Sequence, residues 1–209
     1  LPAGPQPTLA RQLAAKGYAV LMPNLFYRTA RPPVVELGPD VSREVMMKRF
    51  GELTSPLTPG AIESDAPCYV DFFLNQSCIR NDCPMGVVGY CFSGAAAMRV
   101  AAVRADRIGA AASFHGGGLF SDSPASPHLV LPRIKARLYF GHAVEDPSMT
   151  AEAIEGLERA LAQWGGEYES EVYDGAYHSW TVADSPVHNP VQAARAFEKL
   201  TDLLGRTLQ

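Results

Sequence analysis

The stretch Met85-Gly-Val-Val-Gly89-Tyr-Cys91-Phe-Ser93-Gly94 decides how this chain is read. Met85 to Gly89 is an apolar run of strand length, and the small-residue segment from Phe92 to Arg104 follows as a helix. A strand that turns directly into a helix leaves one residue at the tip of a sharp corner, here Cys91. The residues two before and two after such a corner must be small, and Gly89 and Ser93 meet that demand. Gly94 and Ala95 to Ala97 allow the helix to lie close on the strands. The positive end of the helix favours a thiolate at Cys91. The amide of Phe92 points to where an oxyanion would develop. The competing structural reading is a buried cysteine acting as a small hydrophobe.

A nucleophile in such a corner needs a base and an orienting acid, in the chain order nucleophile, acid, base. The strand Arg137 to Gly141 runs into His142-Ala-Val-Glu-Asp146, which points to Asp146 as the acid, with Glu145 its competitor. The more polar strand Glu169 to Tyr173 is followed by Asp174-Gly-Ala-Tyr-His178, which points to His178 as the base. Either residue alone could be a helix-flanking carboxylate or a packing histidine. Their joint occurrence, in order and each after a strand, points to a Cys-His-Asp set.

Outward from these motifs the chain alternates strand and helix, which predicts an α/β fold with a mostly parallel sheet flanked by helices. Thr8 is expected to cap a helix through Lys16, ended by Gly17. Tyr18 to Met22 reads as a buried strand stopped by Pro23. From about 24 to 60 the prolines Pro32, Pro33, Pro39, Pro56 and Pro59 predict an excursion over one sheet edge or a lid, with a short helix near Ser42 to Phe50. A helix is expected from Ser64 to Gln76, with Pro67 in its first turn. Ile108 to Phe114 has almost no polar content and reads as a central strand. Thr150 caps a helix stopped by Gly165-Gly166, and Asn189-Pro190 opens the last helix, whose buried stripe is Ala193, Phe197, Leu200 and Leu204.

The 209 residues suit one self-sufficient domain, 1–209. A formal charge of −4, with 18 Lys+Arg against 22 Asp+Glu, argues against a nucleic-acid binder, and no apolar run is long enough to span a bilayer. The four cysteines form no Cys-x-x-Cys pair and the histidines show no metal spacing, so neither a metal nor another cofactor is expected. The absence of a signal-peptide pattern points to a reducing cytoplasm.

At the level of these motifs the chain resembles the dienelactone hydrolase family, from about Gly17 to Leu204. The similarity rests on Gly17-Tyr18 with Pro23-Asn24-Leu25-Phe26, on Gly89-Tyr-Cys-x-x-Gly94, and on Ala176-x-His178-Ser179. It implies an α/β-hydrolase fold, a triad of Cys91, Asp146 and His178, and hydrolysis of a small lactone or ester carrying a carboxylate. It also implies a carboxylate-binding arginine at Arg43. A second arginine would fall at Val182, which cannot form the bidentate clamp an arginine makes. Ser93 stands where the family usually has glycine. The family's further acidic residue, which sets the state of the thiol, and its second oxyanion donor would precede Leu1.

His115, at the end of a central strand where parallel sheets bind ligands, is a candidate substrate contact. Tyr27 at the pocket mouth and Trp180 beside the base loop are further candidates. The partner expected is a small-molecule ester or lactone, with the protein a monomer or homodimer. Two other readings compete: a non-catalytic binding or regulatory protein of the same fold, and a redox sensor at Cys91, which has no resolving cysteine close in sequence. Because the alternation opens with a helix, the N-terminal strands of the fold are expected to be missing, about 30–40 residues at ~5–6 per strand plus turns.

Overall fold

The computed structural model describes residues 5–34 and 42–208. Its sheet has four parallel strands in the order β1 (Met85–Tyr90), β2 (Ile108–Phe114), β3 (Arg137–His142) and β4 (Tyr168–Val172). The helices are α1 (Pro5–Ala15), α2 (Arg43–Thr54), α3 (Pro59–Leu74), α4 (Ser93–Val103), α5 (Ala151–Trp164) and α6 (Pro190–Thr207), with a 3₁₀ helix over Pro127–Arg133.

Side chains alternate across the two central strands, as strand geometry requires. Ala111, Leu138 and Phe140 face one core with Val70 of α3, Met98 of α4 and Leu157 and Leu161 of α5. Ala110, Ala112, Phe114 and Tyr139 face the other, with Leu13 of α1 and Leu200, Leu203 and Leu204 of α6. Both faces of β2 are therefore covered, which explains its uninterrupted apolar sequence. The partly polar β4 forms an edge, as its composition predicts.

Three local expectations are corrected. α1 starts at Pro5, so Thr8 lies within it; prolines are tolerated in a first turn, where the missing N–H has no partner to lose. Gly17, at φ 91°, ends that helix as expected. α3 starts at Pro59, where Thr58 Oγ1 accepts a hydrogen bond from the amide of Ala61, so Pro67 sits inside the helix rather than in its first turn. Tyr18 to Met22 belongs to no strand, and Val20 and Met22 are exposed. Its composition suits a strand, but a strand forms only where a neighbour supplies ladder hydrogen bonds, and β1 pairs with β2 alone among the described strands.

Among the described residues no helix is long and apolar enough to cross a membrane. No three His, Cys, Asp or Glu side chains among them form a group able to hold a metal ion.

Candidate active site

The corner after β1 is tightly built. Cys91 has φ 55°, a left-handed conformation that costs a non-glycine residue about 1–3 kcal/mol. Ser93 laces the turn: its hydroxyl donates to the Tyr90 carbonyl at 2.7 Å and accepts from the Tyr90 amide at 2.8 Å. A side chain at Gly89 would place its Cβ 2.1 Å from the Ser93 carbonyl oxygen, and one at Gly94 would meet Ser113 Oγ at 2.2 Å. These clearances are why Gly89 and Gly94 must be glycine, and why Ser93 does more than fit the turn. α4 begins at Ser93, so Cys91 and the Phe92 amide lie at its N-terminal end.

Opposite the thiol stands His178, with Nε2 3.0 Å from Cys91 Sγ. Its Nδ1 lies 2.6 Å from Asp146 Oδ2. The other carboxylate oxygen of Asp146 accepts the Ser148 amide at 2.9 Å and the Ser148 hydroxyl at 2.6 Å. Asp146 is buried, whereas Glu145, with φ 50°, turns out to solvent. The loops carrying Asp146 and His178 are stitched together, because the Val144 amide donates to the Ala176 carbonyl at 2.9 Å. Burial favours a neutral Asp146, but the hydrogen bonds from His178 and Ser148 outweigh it and hold the carboxyl below its ordinary range. The hydrogen bond to Asp146, then that to Cys91, pushes His178 up to about 10.

The structure thus brings Cys91, Asp146 and His178 into one hydrogen-bonded chain, while Glu145 faces solvent. It treats the other expected contacts differently. Trp180 is fully buried, stacked on Tyr173 and set edge-on to His115, so it is core and not a substrate wall. His115 is also buried, and protein groups occupy both ring nitrogens: the Cys91 amide donates to Nδ1 at 3.1 Å, and Nε2 lies 2.8 Å from Thr181 Oγ1. It therefore offers a substrate no polar atom. Tyr27 is half-exposed, and its hydroxyl donates to Asp65 Oδ1 at 3.0 Å. Arg28 grips the same carboxylate through two nitrogens, at 2.5 and 2.7 Å. The backbone of Arg43 opens α2, but its side chain lies outside the described residues.

Sequence reasoning missed three contributors. Phe26 and Phe50 hold the Phe92 ring between them, with centroids 5.6 and 5.5 Å away, and so bring the 24–34 turn and α2 against the Cys91 corner. Ser148 was the third. Its signal was present, because an Asp two residues before a Ser can close a local turn.

A parallel sheet with a cysteine, histidine and carboxylate hydrogen-bonded at the carboxyl ends of its strands, the cysteine in a strained strand-to-helix corner, belongs to the α/β-hydrolase class. The sequence model of the dienelactone hydrolase family matches residues 6–208. A carboxymethylenebutenolidase from Rhodococcus opacus is 27% identical over 187 residues, covering 89% of this chain and 68% of the relative. The solved structure named m3DLH superposes with a TM-score of 0.76 at 24% identity, over 98% of this chain and 81% of that one. A dienelactone hydrolase from Anabaena variabilis gives 0.66 at 17% identity, over 100% and 81%. At those identities the structures speak for the fold. The chain belongs to the dienelactone hydrolase family, and by that membership it is a lactone or ester hydrolase.

Proposed function

We propose that this protein opens a small lactone, or cleaves a small carboxylic ester, through a thioester formed on Cys91, within a single catalytic domain whose 24–34 turn and α2 wall the substrate. The observation that carries this reading is the unbroken hydrogen-bonded path from Cys91 Sγ through the His178 ring to Asp146. Across the 3.0 Å contact His178 Nε2 takes the Cys91 proton, and the thiolate so formed is the nucleophile. The thiolate adds to the acyl carbon, and the Phe92 amide at the start of α4 donates to the oxyanion. As the tetrahedral species collapses, the carbon–oxygen bond breaks and the alkoxide takes the Nε2 proton of His178. In a lactone that alkoxide stays tethered to the acyl group. Neutral His178 then removes a proton from water as it attacks the thioester, the carbon–sulfur bond breaks, and the product is the free (hydroxy)acid. Asp146 stabilises the imidazolium and fixes the ring so that Nε2 faces sulfur.

The aromatic group of Phe26, Phe50 and Phe92 beside the nucleophile supports a small acyl group with an apolar face. The same chemistry needs no metal or organic cofactor, and a reducing cytoplasm would keep the thiol active.

The test is a panel of lactones and aryl esters, including p-nitrophenyl acetate, run on wild type and Cys91→Ala, with mass spectrometry of the acid-quenched enzyme. Turnover falls at least about 10³-fold in the variant, and the wild type carries an acyl mass on the Cys91 peptide. Undiminished hydrolysis by Cys91→Ala overturns the reading. So does a folded wild type that binds members of the panel and turns over none of them.

A further inference from the structure

His115 takes no part in the steps above, yet it occupies the centre of the site. It follows β2, the strand between the one that presents the nucleophile and the one that leads to the acid. Its backbone sits at φ 40°, an uncommon conformation for a residue with a side chain, and one found where surrounding structure enforces it. The ring is 1% exposed. Its centroid lies 5.3 Å from that of His178 and 4.9 Å from Trp180, against which it stands edge-on.

We propose that His115 is a positioning residue: a neutral imidazole in one fixed tautomer that ties the backbone of the nucleophile to the loop of the base and so sets the Cys91–His178 separation. The proposal rests on the Cys91–His178–Asp146 reading. Nδ1 faces the N–H of Cys91, so it carries a lone pair there. The proton is then on Nε2, which donates to Thr181 Oγ1. Thr181 is three residues beyond His178, on the same loop. One rigid ring therefore links the strained corner to the base loop, while the Cys91 amide shares its hydrogen with the Phe114 carbonyl at 3.1 Å. Burial, reinforced by the neighbouring His178, drives His115 down to about 3, so no proton reaches Nδ1 to oppose the Cys91 N–H. A neutral ring also spares the imidazolium of His178 a second positive charge alongside. Because the Cys91 amide is committed to His115 and Phe114, it cannot serve as an oxyanion donor, which leaves that task to Phe92.

The experiment has two arms. In ¹⁵N-histidine NMR of the Cys91→Ser protein, His115 gives the Nε2–H tautomer throughout the neutral range; an Nδ1–H tautomer, or titration in that range, overturns the proposal. In kinetics, Thr181→Val lowers kcat about tenfold with KM within about twofold, equivalent to ~1.4 kcal/mol, and Thr181→Ser restores it. His115→Asn, whose amide oxygen substitutes for Nδ1 and which tolerates positive φ, retains more kcat than His115→Gln, whose amide reaches the Nε2 position instead. Equal kcat values for Thr181→Val and Thr181→Ser, or variants that lose melting temperature but keep kcat, leave His115 a packing residue. Should Cys91→Ala keep its turnover, the catalytic reading falls while the tautomer result stands, so the two failures are separable.

Discussion

Two regions meet at Cys91, and they are held in different ways. On the strand-end side, polar groups are used up in pairs: Asp146 accepts from His178 on one oxygen and twice from Ser148 on the other, and both nitrogens of His178 and of His115 are engaged. On the other side, the 24–34 turn and α2 reach the corner through ring contacts on Phe92, and leave Tyr27, Val45 and Met47 well exposed. The anchor of the turn is the grip of Arg28 and Tyr27 on Asp65 of α3, a step away from the reacting atoms. The strand-end groups are fixed in place, because none can shift without breaking a hydrogen bond to its neighbour. The wall can change shape or composition without moving sulfur, imidazole or carboxylate. Substitutions on the first side should therefore act on kcat, and substitutions on the second on KM.

The severest challenge to that division after removal of the thiol is Asp146→Asn. The shape is kept, but the amide cannot stabilise an imidazolium, and kcat falls roughly 10²- to 10⁴-fold. A pH profile adds a signature. The pKa of His178 is raised, so the protonated form that supplies the leaving alkoxide persists above neutrality and is lost as pH rises through about 10. The alkaline limb of kcat in wild type falls there. In Asp146→Asn it moves toward the ordinary histidine range, because the largest cause of the rise has gone. An unmoved limb would show that another group controls it. Next in size is Ser148→Ala, which removes the 2.6 Å hydroxyl bond but keeps the amide bond to the same oxygen. The expected cost is about 5- to 10-fold in kcat, less than the ~1.5–3 kcal/mol of a lone hydrogen bond to a charged group because the Ser148 amide still holds the same oxygen, with KM unchanged. A KM effect at Ser148 would blur the division.

The same contrast explains what could be read from the sequence. β1, β2, the Cys91 corner and the helices α4 to α6 were legible because each is set by local rules: an apolar run, small residues at fixed offsets, a cap, a stripe. Asp146 and His178 followed from their places after strands. The sequence favours Asp146 over Glu145 only by pattern; which of the two adjacent carboxylates the turn buries is visible in the structure alone. Tyr18 to Met22 misled because a strand is a property of a pair of segments, and only one member is visible in a local pattern. His115 and Trp180 misled in the opposite sense. His115, at a strand end, and Trp180, beside His178 in the chain, read as substrate contacts, but both are buried and packed against protein groups. Phe26 entered only as part of the family likeness and Phe50 only as a helix end, because 24 positions separate them and nothing local says that both close on Phe92.

The smallest effect, and the one that tests the wall directly, is expected from Phe50→Ala. Phe50 meets the Phe92 ring edge-on at an interplanar angle of 75°, and it is only partly buried. Such an aromatic pair contributes about 0.5–1.5 kcal/mol beyond the area it covers. Its loss frees one side of Phe92 but leaves the Phe92 backbone in place, because the Cys91 carbonyl still accepts the Gly94 amide at 3.1 Å and the Ser93 hydroxyl still spans the corner. With the oxyanion donor and the thiol undisturbed, kcat stays within about twofold, while KM for an aryl ester rises about 3- to 10-fold as apolar contact is withdrawn. For a small aliphatic lactone, which covers less of the ring, the rise in KM is smaller. A fall in kcat equal to that of Ser148→Ala would mean that the wall also positions the nucleophile, and the two regions would then have to be treated as one.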